Sequence, residues 1–289
     1  MGKKIYPELG VIFNPDKEKA REGMKRLLSF LRDKKIPFLM RREEAEKIGE
    51  KNRGVEDREF LKSIDLLLTV GGDGTLLRGA RLVWRRNIPL LGINLGGLGF
   101  LTSVGIEDME EVIHALREKR YYVEERKGLE TDIKGEVLFS LNDTVFFKKE
   151  PARMIRMETS LNERYLTTFD ADGLIVSSPT GSTAHALSAG GPILHPDVEG
   201  FLIVPICSHT LSQRPLVIPA GYTLEVCINT PGGGVMVCDG QITRYIKEKE
   251  SVQIRVTSHP IKLVRLSRVD FYALLREKFQ WKGYASEKK

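Results

Sequence analysis

The 289-residue sequence predicts an α/β plus β protein: a doubly wound α/β domain over residues 1–105, a β-rich, sandwich-like domain over 106–266, and a C-terminal helical segment over 267–289. Three observations carry this. Apolar strand-like runs alternate with helical spacings as far as Val104, the pattern of a parallel sheet with crossover helices. Beyond Arg120 the texture changes to many short strand-like runs separated by turn signals, as in a largely antiparallel domain. The length, at roughly 150 residues per domain, leaves room for two cores.

Residues 9–13 form a short apolar strand, and Asn14-Pro15-Asp16 supplies a turn and a helix cap. Ala20, Met24, Leu27, Leu28 and Leu31 recur at helical spacing and give the next helix one buried face. Residues 36–40 are a second strand. Residues 64–70, nearly all apolar and ending in Gly71-Gly72, have the two-sided burial of a central parallel strand. A helix over 76–86, a strand over 89–94 and a helix with Met109, Val112, Ile113 and Leu116 on its apolar face follow. Strand-like stretches then lie at 121–123, 136–147, 154–169 (with an Asn162-Glu163 turn signal), 173–177, 202–206, 216–218, 223–228, 235–237, 251–257 and 261–266. A helix over 270–279 closes the chain, with Phe271, Leu274, Leu275 and Phe279 on one side.

Composition narrows the function classes. A hydrophobic fraction of 41 % rules out wholesale disorder. The net charge of +6 comes from 45 basic and 39 acidic residues interleaved throughout, so no nucleic-acid footprint is present. Residues 1–10 carry two lysines but no apolar core for a signal peptide, and the charge-free run 89–106, with its five glycines, is buried strand and loop rather than a membrane span. Cys207, Cys227 and Cys238 are odd in number and form no CxxC, so packed thiols in a cytoplasmic protein are expected. No GxxxxGK[ST] and no GxSxG occurs, neither glycine cluster completes GxGxxG, and the five histidines lack metal-ligand spacing.

What remains starts with Gly71-Gly72-Asp73-Gly74-Thr75, between an apolar strand and a helix. Glycines there let backbone approach a ligand, and the helix start offers free N–H groups to phosphate. Asp73 is the departure, since a carboxylate repels phosphate. It suits a general base toward a hydroxyl or a ligand to a bridging Mg²⁺, and the plain alternative is a helix cap in a tight turn. A second cluster, Gly96-Gly97-Leu98-Gly99-Phe100, follows the next parallel strand, and adjacent strand ends of this kind line a crevice. Phe100 either flanks a ligand ring or is ordinary core. Asp170-Ala171-Asp172-Gly173 precedes a strand and then Ser178-Pro179-Thr180-Gly181-Ser182-Thr183-Ala184-His185, hydroxyl residues opening an alanine-rich helix that stops at Gly190-Gly191. Asn142-Asp143, amid β-branched and aromatic residues, offers polar groups to ribose hydroxyls or makes a strand-end turn, and Asp239-Gly240-Gln241 is a similar case with a stronger turn reading.

In this order, over residues 64–281, these segments closely resemble the NAD kinases. GGDGT alone is shared, in versions, with diacylglycerol and sphingosine kinases and phosphofructokinases. The specific part is Asp172-Gly173 through Ser177-Ser178-Pro179-Thr180-Gly181-Ser182-Thr183-Ala184 to Leu187-Ser188-Ala189-Gly190-Gly191-Pro192-Ile193-Leu194, with Leu98-Gly99-Phe100-Leu101 and Asn142-Asp143 in register.

The resemblance implies phosphoryl transfer from ATP, with Mg²⁺ on its phosphates, or from polyphosphate in some members, to the adenosine ribose 2′-hydroxyl of NAD, giving NADP. It makes Asp73 the proton acceptor and sets Gly74 beside it on the nucleotide. It turns Arg78 toward phosphate, and gives Asn142 and Asp143 to ribose hydroxyls or the nicotinamide half. Thr183, Ala184, His185 and Ser188 would surround the other end of the dinucleotide, with Asp170, Asp172, Gln241 and Arg153 contributing. It also implies a site between the two domains, a last helix packed on the first domain, and a homodimer or homotetramer. Three departures stand out: His185 occupies a usual tyrosine position, Asp170 an often basic one, and Asp143 replaces a commoner glutamate, shortening the reach while keeping the charge. Two alternatives remain. A GGDGT-type lipid kinase would need a membrane-facing basic segment, and none stands out. A catalytically silent dinucleotide sensor would not need Asp73.

Overall fold

The computed structural model describes residues 7–97, 99–102, 104–149, 154–210, 212–268 and 270–281. Two compact units divide the chain: Met1–Gly79, Arg86–Glu124 and Lys262–Lys289 make one, and Ala80–Arg85 with Glu125–Ile261 the other.

The first unit is built on a sheet whose strands run in the order Gly54–Val55, Phe38–Arg41, Leu9–Phe13, Leu66–Val70, Leu90–Asn94, Ile261–Arg265 and Tyr122–Arg126, with Val104–Gly105 also paired to Leu90–Asn94. The pairs from Gly54–Val55 through Leu90–Asn94 are parallel. Every residue of Leu9–Phe13, Leu66–Val70 and Leu90–Asn94 is buried, as strands covered on both faces require. The helix Glu18–Asp33 buries Ala20, Met24, Leu27, Leu28 and Leu31, the stripe the spacing predicts. Two short helices, Arg42–Ile48 and Asp57–Ser63, lie where the sequence offers no apolar stripe long enough to announce them.

Met109, Val112, Ile113 and Leu116 of the helix Met109–Glu118 enter the same core as Met24 and Leu68. This helix therefore belongs to the first unit, and the division falls after Glu124 rather than at residue 105. The C-terminal strand Ile261–Arg265 pairs in parallel with Leu90–Asn94. The helix Phe271–Phe279, capped by Asp270 accepting the amides of Tyr272 and Ala273, sets Phe279 against Phe100 with ring centroids 6.0 Å apart. The last helix thus packs on the first unit.

The second unit contains two six-stranded antiparallel sheets. One runs Leu216–Pro219, Gly200–Ile206, Gly173–Ser177, Asp143–Lys148, Gly234–Cys238, Ile242–Ile246. The other runs Arg164–Ala171, Ile155–Leu161, Leu224–Ile228, Ser251–Val256, Leu129–Ile133, Glu136–Ser140. Phe146, Leu174, Phe201 and Met236 of the first share one core with Met157, Phe169, Val226 and Ile254 of the second, so the unit is a sandwich.

Two strand-like stretches of the sequence are each two strands. Residues 136–147 divide at Leu141-Asn142, sending Glu136–Ser140 and Asp143–Lys148 to different sheets. Residues 154–169 fold back at Asn162 and Glu163, both at positive φ (47° and 66°), a hairpin turn. The expected alanine-rich helix is a 3-10 turn, Thr180–Thr183, followed by the single turn His185–Ser188, because Ala184 at φ −106° and ψ −125° interrupts it. Among the described residues no helix is long and apolar enough to cross a membrane.

Candidate active site

In the first unit the strand Leu66–Val70 ends at Gly71, whose φ of +149° and whose missing side chain, which would stand 2.5 Å from Thr75 Oγ1, make glycine the residue for that turn. The amides of Thr75 and Leu76 donate to the Gly72 carbonyl as the helix Asp73–Val83 begins. The Asp73 carboxylate, at the first position of this helix, accepts from a loop 27–29 residues away: Phe100 N–H to Oδ2 at 2.9 Å, and Leu101 N–H (3.2 Å), Thr102 N–H (3.1 Å) and Thr102 Oγ1 (3.1 Å) to Oδ1. Gly99 permits this wrap, since a Cβ there would lie 2.1 Å from Asp73 Oδ1. Asn94 fastens the loop from its other side, donating through Nδ2 to the Gly97 carbonyl (2.6 Å) and to Thr102 Oγ1 (3.1 Å). Phe100 therefore contributes a backbone donor, while its half-buried ring packs on Phe279.

Gly74 is exposed, with open space where a side chain would be. One turn on, the Arg78 guanidinium donates to the Phe13 carbonyl at 2.6 Å and pairs with Glu44 at 3.0 Å. Glu44 is 2 % exposed and also accepts the Phe13 amide (3.0 Å). Burial pushes its carboxyl above the usual range, against the pull of Arg78, that amide and Arg41.

In the second unit Asn142 and Asp143 stand where the two sheets part. The Asp239 carboxylate accepts three consecutive amides, Leu141 (3.0 Å), Asn142 (2.8 Å) and Asp143 (3.2 Å), and pairs with Arg81 at 3.7 Å. Arg81 also donates to Gln241 Oε1. Ser178 ties the same turn down, its Oγ donating to the Leu141 carbonyl (2.5 Å) and its amide to the Asn142 carbonyl (2.8 Å). Gly181 lies against that carbonyl too closely for any side chain, a Cβ falling 2.2 Å from it. Burial and then the charge of Asp239 push the Asp143 carboxyl up to about 7, and burial raises Asp239 as well. The Asp143 carboxyl thus holds its proton well above the ordinary carboxylate range. Asn142 Oδ1 is buried with no hydrogen-bond partner among the described residues.

Asn142, Asp143, Gln241 and the Ser178–Gly181 turn therefore converge on one place. His185, exposed, stacks on Phe147 with centroids 6.1 Å apart, and Asp172 pairs with Lys148 at 2.6 Å, so both lie toward the far end of the strand Asp143–Lys148. Asp170 pairs with Arg156 at 3.4 Å. Thr183 Oγ1 donates to the Thr180 carbonyl at 3.4 Å, Ala184 is half-buried and Ser188 exposed. Arg153 lies outside the described residues.

Two family models match the chain, the ATP-NAD kinase N-terminal domain over residues 9–121 and the ATP-NAD kinase C-terminal domain over 141–266. An NAD kinase of Moorella thermoacetica is 39 % identical over 280 residues, covering 95 % of this chain and 90 % of the relative. The chain belongs to the NAD kinase family. Another member, from Heliobacterium modesticaldum, is 40 % identical over 281 residues and covers 95 % of this chain and 99 % of its own. Among solved structures, yeast NADH kinase complexed with NADH has the same fold, with a TM-score of 0.87 at 24 % identity over 99 % of this chain and 91 % of that one. An NAD kinase from Archaeoglobus fulgidus in complex with ATP gives 0.76 at 24 % over 96 % and 100 %.

Within this NAD kinase-family fold, sequence reasoning missed Arg81, Glu44, Asp239 as an amide acceptor, and the Phe100–Thr102 amides. Backbone donors leave no mark in residue types. Arg81 carried one readable signal, a basic residue on the helix that opens with Asp73.

Proposed function

We propose that the chain transfers the γ-phosphoryl of ATP, supplied as its Mg²⁺ complex, to the 2′-hydroxyl of the adenosine ribose of NAD, with Asp73 as the general base. The observation that carries the base assignment is the uneven load on its carboxylate. Oδ1 accepts three hydrogen bonds and Oδ2 only one among the described residues, so Oδ2 has the lone pair with which to take a proton. The ribose oxygen forms its bond to the γ-phosphorus as the bond to the β,γ-bridging oxygen breaks. ADP departs and the hydroxyl proton passes to Oδ2. Phosphoryl transfer leaves the protein mostly positioning to do, and Mg²⁺ arriving with ATP would supply charge neutralisation.

Asn142 and Asp143 receive hydroxyl or amide groups of NAD. The buried, unpartnered Asn142 Oδ1 supports this, because such an acceptor costs stability until a ligand donor meets it. Gly74 borders the nucleotide, Arg78 borders phosphate, and Thr183, Ala184, His185, Ser188, Asp170, Asp172, Arg153 and Gln241 complete the dinucleotide contacts. The same reading gives a cytoplasmic homodimer or homotetramer; the three free cysteines suit a reducing compartment.

The test is turnover of purified full-length protein with MgATP or polyphosphate and NAD or NADH, following NADP or NADPH by chromatography, beside Asp73→Asn. Product from the parent, with turnover at least ~10²-fold lower in the variant and NAD still bound, is expected. Near-parental turnover in Asp73→Asn would sink the base assignment, and no product under any pairing would sink the reaction.

A further inference from the structure

The loop that holds Asp73 is itself held from behind. Arg265 ends the strand Ile261–Arg265 and is 3 % exposed. Its Nε donates to Glu124 Oε2 at 2.8 Å and its Nη1 to the Leu101 carbonyl at 2.7 Å, while Nη2 is buried with no partner among the described residues. A guanidinium buried with a nitrogen unsatisfied is a costly way to finish a strand whose neighbours, Leu263 and Val264, are apolar. Stability alone would favour a hydrophobic side chain.

What Arg265 holds explains the cost. The Leu101 carbonyl and the Thr102 N–H are the two ends of one planar peptide unit, and that N–H donates to Asp73 Oδ1 at 3.1 Å. Fixing the carbonyl fixes the direction of the N–H. A cation on the carbonyl also polarises the peptide and strengthens the donor at its other end. The chain Glu124, Arg265, Leu101–Thr102, Asp73 is therefore continuous, with no link longer than 3.1 Å. The tight loop closes with Gly99 N–H on the Thr102 carbonyl at 3.2 Å, and Phe279 braces it through Phe100.

We infer that Arg265 is a positioning residue for phosphoryl transfer, aiming the Asp73 carboxylate through the Leu101–Thr102 peptide. This rests on Asp73 being the proton acceptor. All the residues involved come from the first unit, and Arg265 and Glu124 stand far along the chain from the motif they serve.

The experiment measures kcat, KM for NAD and for ATP, and thermal unfolding on full-length Arg265→Met, Asp73→Asn and the double variant. Arg265→Met is expected to lower kcat on the order of tenfold to a hundredfold, as a misaimed catalytic group does, with both KM values within about twofold. Added to Asp73→Asn, it should lower the residual turnover no further, since its effect passes through a base already removed. If Arg265→Met does not fold, Arg265→Lys and Glu124→Gln take its place, with smaller losses confined to kcat. A folded variant with parental kcat overturns the inference, as does a loss that is equally large in the Asp73→Asn background. Parental turnover in Asp73→Asn alone would instead overturn the base assignment, which keeps the two failures apart.

Discussion

Two carboxylates, one from each unit, are held in opposite ways. Asp73 in the first unit is half-buried, and four donors from one loop meet its carboxylate. Asp143 in the second is 5 % exposed, lies beside the carboxylate of Asp239, and is pushed up to about 7. Its neighbour Asn142 keeps a buried acceptor that meets no donor among the described residues. The first arrangement is complete before any ligand arrives. The second has a hydrogen-bond demand that no described residue meets. Chemistry needs one fixed geometry in advance, whereas binding gains affinity and selectivity when the ligand supplies the missing partner.

This contrast can be broken at several points. The largest effect is the turnover lost in Asp73→Asn. Next is Gly99→Ala, which places a carbon 2.1 Å from Asp73 Oδ1, so either the loop or the carboxylate must move. Turnover should fall about tenfold to a hundredfold, and overpacking should cost roughly 1–3 kcal/mol of stability. Steady-state kinetics beside a denaturant titration reads both, and an unchanged kcat would show that the wrap around Asp73 is unnecessary. Smaller in turnover is Asp239→Asn. It leaves three amides competing for one weaker acceptor and removes the charge facing Arg81, so unfolding free energy should drop by about 2–4 kcal/mol. KM for NAD should rise more than kcat falls, because the Asn142–Asp143 turn loses its anchor. A kcat effect larger than the KM effect would place Asp239 with Asp73 rather than with binding.

Much of the architecture is legible in residue pattern. Residues 64–70 announce a central parallel strand because burial on two faces leaves no polar alternation, and the Ala20-to-Leu31 stripe announces its helix. What escapes is set by tertiary geometry. Nothing local separates Glu136–Ser140 from Asp143–Lys148, since both are β-formers and only the sandwich decides that they join different sheets. The site divides similarly. Asp73 is visible because a carboxylate is out of place in a glycine-rich phosphate loop, and Asn142-Asp143 because polar residues interrupt a strand. The Phe100–Thr102 donors are backbone, Arg265 acts from more than 160 residues away, and Asp239 looks like a turn residue until its three amides are seen.

The smallest expected effect reads the raised Asp143 carboxyl through pH. Asp143 ordinarily ionises near 3.8 and in the folded chain near 7, with burial the larger cause and Asp239 the second. Between those values the folded protein holds a proton that the unfolded chain has released. Stability is therefore highest on the acid side of this window, declines as pH rises from about 4 to about 7 by at most about 1.4 kcal/mol per unit, and levels off above. Asp143→Asn removes this contribution and relieves the repulsion on Asp239, so the slope between pH 5 and 7 should flatten. A ribose hydroxyl donating to Asp143 prefers the ionised form, so KM for NAD should fall as pH rises through about 7 in the parent and stay level in the variant. Denaturant titrations and NAD saturation curves across that range provide the comparison. Parallel stability slopes in parent and variant would mean that Asp143 is ionised throughout, and that burial beside Asp239 does not hold its proton.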